Sequence, residues 1–242
     1  GLFVEQAAPA TLLLVFMFLF FLPGAGRDTR WTPAIFAVVA LGAFIAALNV
    51  PAYTRDAPRH LTIVHEDDGG KAAFLIEDNG PVPAASAAQA RFAAEPDDNG
   101  YWRAPAPALA DDGRIEILSD TVVSDRRIIR FAAEGPSADR QEFLIKEGKA
   151  MRNITVNGTR PAIRGEPVYV GCTGRTCRRL EIQFELPAKA KIPEISWRRT
   201  RYGAGDAGAK LAAKRPATAQ PVHVGDRQVW IRPLPLPAAP AG

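Results

Sequence analysis

Histidine and cysteine are scarce in this chain. Three histidines (His60, His65, His223) and two cysteines (Cys172, Cys177) occur in 242 residues. A single cysteine pair with four residues between does not make a zinc knuckle, which needs four ligands. No G-x-S-x-G, H-E-x-x-H or P-loop sequence is present, so no motif sets out a nucleophile, a base and an orienting group. No internal repeat is visible. The net charge of +4 is too mild to point to nucleic acid. The basic runs "RRTR" (198–201), Arg178–Arg179 and Lys189/Lys191 are interrupted by acids, whereas nucleic-acid binding calls for aromatics interleaved on one platform. They read as a solvated sheet face, and no nucleic-acid partner is expected.

Charge is nearly missing from residues 1–54, where only Glu5, Arg27, Asp28 and Arg30 carry it. "TLLLVFMFLFFL" (11–22) is apolar throughout, and from Trp31 to Thr54, around "AIFAVVALGAFIAALNV" (34–50), there is no charge. About 20 apolar residues cross roughly 30 Å of hydrocarbon. Residues 1–55 are therefore expected to hold two transmembrane helices, about 7–25 and 33–52, joined as a hairpin by the short "PGAGRDTRWT" (23–32). Arg27 and Arg30 favour a cytoplasmic loop, with the rest of the chain on the extracytoplasmic side. The start "GLFVEQ" has no basic n-region, unlike a signal peptide. The chain is expected to be a C-terminal piece of something longer, or a processed product.

After Arg55 the hydrophobic period changes to two. In "RLEIQFEL" (179–186), Leu180, Ile182, Phe184 and Leu186 share one face, and Arg179, Glu181, Gln183 and Glu185 the other. That is the pattern of a half-buried antiparallel strand. Shorter alternations occur at 60–66, 71–77, 114–118, 126–131, 142–146, 152–156, 194–200 and 228–232. Asn157–Gly158 suits a type I′ turn. Loops are expected at 79–88 and 104–113, and a longer connection with room for one helical turn at 202–221. The fold class is mainly β: an antiparallel β-sandwich over 56–232, followed by an extended, mobile Pro/Ala-rich tail at 233–242.

Several stretches invite a functional reading. "HLTIVHEDDGGKAAF" (60–74) offers two histidines and three acids, but His60 and His65 fall on opposite faces of a strand. It lacks the spaced ligands of an EF-hand loop. Two strands joined by a polar turn fit it better than a metal site. "GAGDAG" (203–208) matches a dinucleotide fingerprint without the βαβ unit that would give it meaning, and reads as a flexible loop. Cys172 and Cys177 are expected to form a local disulfide that braces a loop, free thiols being the alternative. "NIT" (153–155) and "NGT" (157–159) are glycosylation sequons, meaningful only in a eukaryotic secretory route. Trp102, Trp197 and Trp230 would mark a peptide- or glycan-binding module if they clustered on one open face, and core if buried.

The order of elements, with "PRHLTIVHEDDGGKAAF" (58–74), "VGCTGRTC" (170–177) and "LAAKRPATAQPVHVGDRQVWIRPLPL" (211–236), resembles the C-terminal region of membrane-bound M28-family zinc metallopeptidases. The resemblance implies a peptidase domain first, then membrane helices, then a β-rich extracytoplasmic domain. The family's two-zinc site draws His, Asp and Glu ligands from the peptidase domain, and none of those positions exists in this chain. His60 and His65 are not their counterparts. No catalytic, cofactor-binding or metal residue is therefore carried over. Zinc is expected in the absent domain only. The lipid bilayer and that peptidase domain, on the same polypeptide, are the expected partners. The chain would be a non-catalytic, membrane-anchoring C-terminal part of a larger enzyme.

Overall fold

The computed structural model describes residues 32–49, 53–78, 80–163, 165 and 167–236. The chain divides into two compact units, with the boundary between Pro58 and Arg59. In the first, helix α1 (Thr32–Asn49) has 18 residues and no acidic or basic residue in its end turns. The side chains of Val38, Leu41 and Phe44 on it are exposed. Among the described residues no helix is long and apolar enough to cross a membrane. This corrects the expected two-helix transmembrane hairpin, and with it the multi-pass membrane placement and the extracytoplasmic β-domain that depended on it. The described helix rises roughly 27 Å over its 18 residues. The expected first helix, 7–25, lies outside the described residues.

The second unit is mainly β. Its strands are β1 (Arg59–Asp68), β2 (Lys71–Asp78), β3 (Tyr101–Pro105), β4 (Arg114–Val123), β5 (Arg126–Glu134), β6 (Arg140–Ile145), β7 (Arg152–Val156), β8 (Val168–Thr173), β9 (Arg179–Pro187), β10 (Ile195–Tyr202), β11 (Ala219–Gln220) and β12 (Arg227–Pro233). Two short helices join them, α2 (Ala84–Ala87) and α3 (Gly205–Ala212). The larger sheet runs β3-β2-β1-β12-β10-β6-β8, with β11 beside β1; the smaller runs β4-β5-β9-β7. Most neighbours are antiparallel, but β12 and β11 pair with β1 in parallel. The expected purely antiparallel sheet therefore holds a mixed centre. Such a pairing needs a long connection, and nearly the whole domain lies between β1 and β12.

The sheets pack face to face over β5, β9, β6, β8 and β10. Leu180, Ile182, Phe184 and Leu186 of β9 are all buried, as their period requires. Phe131 of the smaller sheet meets Phe143 of the larger edge-on, with centroids 5.7 Å apart, and Phe143 stacks on Trp197 at 6.2 Å. These offset and edge-on arrangements suit the ring quadrupoles. The far half of the large sheet is covered instead by α3 and the chain around it, with Leu61, Ile63, Phe74, Ile76 and Leu211 in a separate cluster.

The turns follow their residues. Asp68 pairs with Lys71 across Gly69–Gly70, whose φ values are +58° and +89°. Asn157 and Gly158 also have positive φ, and Val156 and Thr159 exchange N–H···O bonds of 2.8 and 2.9 Å around them. That is the two-residue turn expected there. "YGAGDAGAKLAA" holds an eight-residue helix rather than a loop. The proline-rich end begins by packing: Leu234 donates its N–H to Ile195 O at 2.8 Å, and Leu234 and Leu236 lie against the sandwich core.

The two cysteines form a disulfide, with Cα atoms 5.6 Å apart. It closes the loop after β8, where Cys177 is buried and its carbonyl accepts from Gln141 Nε2 at 2.5 Å. The chain-entropy model assigns roughly 2 kcal/mol to so short a loop. Replacing both cysteines by serine is expected to lower the urea-unfolding free energy by about that amount, and added reductant should then have no further effect.

Candidate functional site

The densest polar cluster lies on one face of the large sheet, under the segment 106–113 that leads from β3 to β4. His65 and Asp67 come from β1, Trp230 and Arg232 from β12, and Arg199 from β10. They share a face because Asp67 is in register with Trp230, and Trp230 with Arg199. Trp197, Arg199 and Trp230 form a stack, with the Arg199 guanidinium 4.6 Å from the Trp197 centroid and 5.3 Å from that of Trp230.

Segment 106–113 crosses this face as a strap. His65 Nε2 lies 2.8 Å from Pro107 O. Because a carbonyl only accepts, Nε2 carries the ring proton. Leu109 N–H donates to Asp67 Oδ2 at 3.1 Å, and Trp230 Nε1 donates to Ala110 O at 3.1 Å. Arg199 pairs with both Asp111 and Asp112, the latter at 3.0 Å, and Arg232 Nε donates to Asp111 Oδ2 at 3.0 Å. Arg232 Nη1 also meets Asp67 Oδ1 at 2.9 Å, and Gly70 N–H closes on the same carboxylate at 2.9 Å. Glycine makes room here: a Cβ at Gly135 would lie 3.0 Å from Arg199 Cδ, and one at Gly113 would run into the guanidinium.

Burial and bonding set the charge states. Arg199 is 1% exposed, Asp67 1% and His65 3%. Burial opposes ionisation of Asp67, but the Leu109 N–H, Arg232 and the Gly70 N–H outweigh it and hold the carboxyl below the usual range. Burial likewise opposes ionisation of Asp111, and the Gly113 N–H, Arg199 and Arg232 overcome it. For His65 burial prevails over its bond to Pro107 O and the nearby Asp67 charge, so its affinity for a second proton is lowered.

The other residues singled out in the sequence lie elsewhere. His60 is exposed on the opposite side of β1 from His65, and lines a shallow cleft of about 300 Å³ with Glu77, Asn99, Tyr101 and Val222. His223 is exposed. Among the described residues no three His, Cys, Asp or Glu side chains gather to hold a metal ion. The residues present do not fit zinc: His65 Nε2 carries a proton that it gives to Pro107, and His60 is turned away. "GAGDAG" does follow a strand and open a helix, but that strand, β10, is antiparallel to both its neighbours, β6 and β12, so there is no dinucleotide-binding unit. Trp197 and Trp230 are buried and Trp102 half-buried, its Nε1 donating to Gly80 O at 3.0 Å. They make no open aromatic face. Asn153 and Asn157 sit at positive φ, and Asn157 Oδ1 accepts from Glu181 N–H at 2.8 Å.

Arg199 corrects the reading of "RRTR" as a solvated face. Lys189, Lys191, Arg178, Arg179 and Arg201 are exposed, but Arg199 is among the most buried residues of the domain. The signal was present: Ile195, Trp197 and Arg199 share one parity, and the first two are inward-facing.

No family model and no curated protein matches the chain.

Proposed function

We propose that residues 59–236 are a non-catalytic β-domain of a larger M28-like zinc metallopeptidase, whose zinc and hydrolytic chemistry belong to a peptidase domain on the same polypeptide. The family link rests on the resemblance of 58–74, 170–177 and 211–236. The observation that carries the non-catalytic reading is the commitment of the site-like groups. His65 Nε2, Asp67 and the two terminal nitrogens of Arg199 bond to Pro107, Leu109, Asp111 and Asp112. A catalytic base or nucleophile needs an atom free to meet substrate. Here both Asp67 oxygens are occupied, and His65 Nε2 and the Arg199 guanidinium hold a polypeptide strap in place, as structural groups do.

The test compares this chain with the longer polypeptide read from the frame upstream of Gly1. The longer product should hydrolyse aminoacyl substrates and lose activity to a chelator, while this chain should not hydrolyse them. An upstream frame without a His/Asp/Glu two-metal domain would sink the peptidase link.

A further inference from the structure

We propose that the strap 106–113 is an acid-released latch, seated on the large sheet at neutral pH and freed from β1 when His65 takes up a second proton.

The geometry is unusual in what holds the strap. Between its ends it makes no strand pairing with the sheet below. Its backbone meets Ala72 O through Ala106 N–H at 3.2 Å, and after that is held by side chains: His65, Asp67 and Trp230 in sequence. Its two carboxylates then complete the attachment to Arg199 and Arg232. Ionisable groups thus supply most of the attachment. Those facing His65 across the cluster are Asp67 on its own strand, Arg232 on β12, Arg199 on β10, and Asp111 and Asp112 on the strap. Two guanidinium groups and three carboxylates leave the cluster one negative charge when His65 is neutral. The ring packs against Phe74, with centroids 4.7 Å apart, and is 3% exposed. A cation formed there is cut off from water on an apolar neighbour.

The direction follows from linkage. A histidine whose proton affinity is lowered in the seated state leaves that state fully stable above its ordinary pKa of 6.5. As pH falls below 6.5, the open state takes up the proton first and seating is lost, by up to about tenfold per pH unit. Asp67 and Asp111 act in the same sense at lower pH. Their carboxyls are held below 3.8 when seated, so their contribution is present above 3.8 and disappears as pH falls beneath it. The first stage of release belongs to His65. Release uncovers Trp230, which sits under Ala110 and beside Arg199.

The experiment is hydrogen–deuterium exchange on the whole chain at pH 7.5 and pH 5.5, corrected for intrinsic exchange, with β9 as internal reference. Strap amides, Leu109 foremost, should lose protection relative to β9 by up to about tenfold at the lower pH. In His65→Gln, whose amide still reaches a carbonyl but does not titrate, the strap should keep one protection ratio at both values. A wild-type ratio that does not change, or a His65→Gln ratio that changes as much as wild type, would overturn the latch. If His65→Gln does not fold, Asp112→Asn replaces it. Weakening the half-exposed anchor should lower strap protection at both pH values while keeping a fall between them of up to about tenfold, and the absence of that fall would overturn the proposal.

Discussion

Arg199→Ala is expected to lower the unfolding free energy by about 3 kcal/mol, read from urea denaturation followed by circular dichroism. Breaking a buried ion pair costs roughly 3–5 kcal/mol when the remaining charge stays buried. Here the orphaned carboxylates are less confined, with the Asp111 and Asp112 side chains 31% and 40% exposed. Water reaches them, which places the value at the lower end. Part of the loss is not ionic. The guanidinium fills the space between Trp197 and Trp230, and its removal leaves two ring faces without a neighbour. Arg199→Met separates the terms, since its side chain restores packing but no charge. It should recover a clear fraction of the loss while leaving the strap as mobile as in Arg199→Ala, measured by exchange at Leu109.

Phe184→Ala is expected to be the most damaging single truncation in the sandwich core, at about 3–5 kcal/mol. Phe184 is 1% exposed and meets Phe131 edge-on at a centroid distance of 6.4 Å. It belongs to β9, which has β5 on one side and β7 on the other, so the backbone has little freedom to close a gap. A void of about 10 Å³ already borders it, lined by Phe131, Phe143 and Ile182 among others. The space opened by the truncation would join that void and remain apolar, without the polar partners that a filling water needs. Tm or urea midpoint reports the loss. A cost under about 1 kcal/mol would mean that the two sheets slide together and that the core is less rigidly set than its aromatic contacts indicate.

The strands were legible where one face is buried and the other wet. β9 shows this best: its four inward residues and four outward residues alternate without interruption. The Asn157–Gly158 turn was legible because few other dipeptides tolerate positive φ at both positions. β3 and β8 were not. "YWRAP" ends in proline on a sheet edge, where proline is tolerated but weakens the sequence signal. In "VYVGCT" only Val168 and Val170 point inward before glycine and the disulfide interrupt the pattern. On the edge strand β4, the register shifts between Ile117 and Ser119, which breaks the period that would have revealed the strand's full length.

The helical expectation is corrected for the described residues, where no helix is long and apolar enough to cross a membrane. The stretch from Ala34 to Val50, uncharged and interrupted by Asn49, looks like a span when the flanking uncharged residues are added. The described helix is Thr32–Asn49.

The polar cluster was half legible. "HLTIVHEDDGG" was correctly a hairpin with a polar turn, and its histidines do face opposite ways. Its connection to "APAPALADDG" was not visible, because Pro107, Leu109 and Ala110 contribute only backbone groups, which leave no trace in the choice of side chain. Arg199 is hidden for the opposite reason: a charge in a strand suggests solvent. Its parity with Ile195 and Trp197 was the better guide, since strand geometry fixes direction more firmly than residue type. A buried arginine then requires carboxylates nearby, and Asp111–Asp112 of the segment between β3 and β4 supply them.

The most direct measurement is zinc titration of the purified chain by calorimetry, with hydrolysis of an aminoacyl substrate followed in the same samples. If His65, Asp67 and Arg199 hold the strap and form no reaction centre, the chain will show no stoichiometric zinc binding that His65→Gln removes, and no turnover. One equivalent of tightly bound zinc, lost together with hydrolytic activity in His65→Gln or Asp67→Asn, would contradict it.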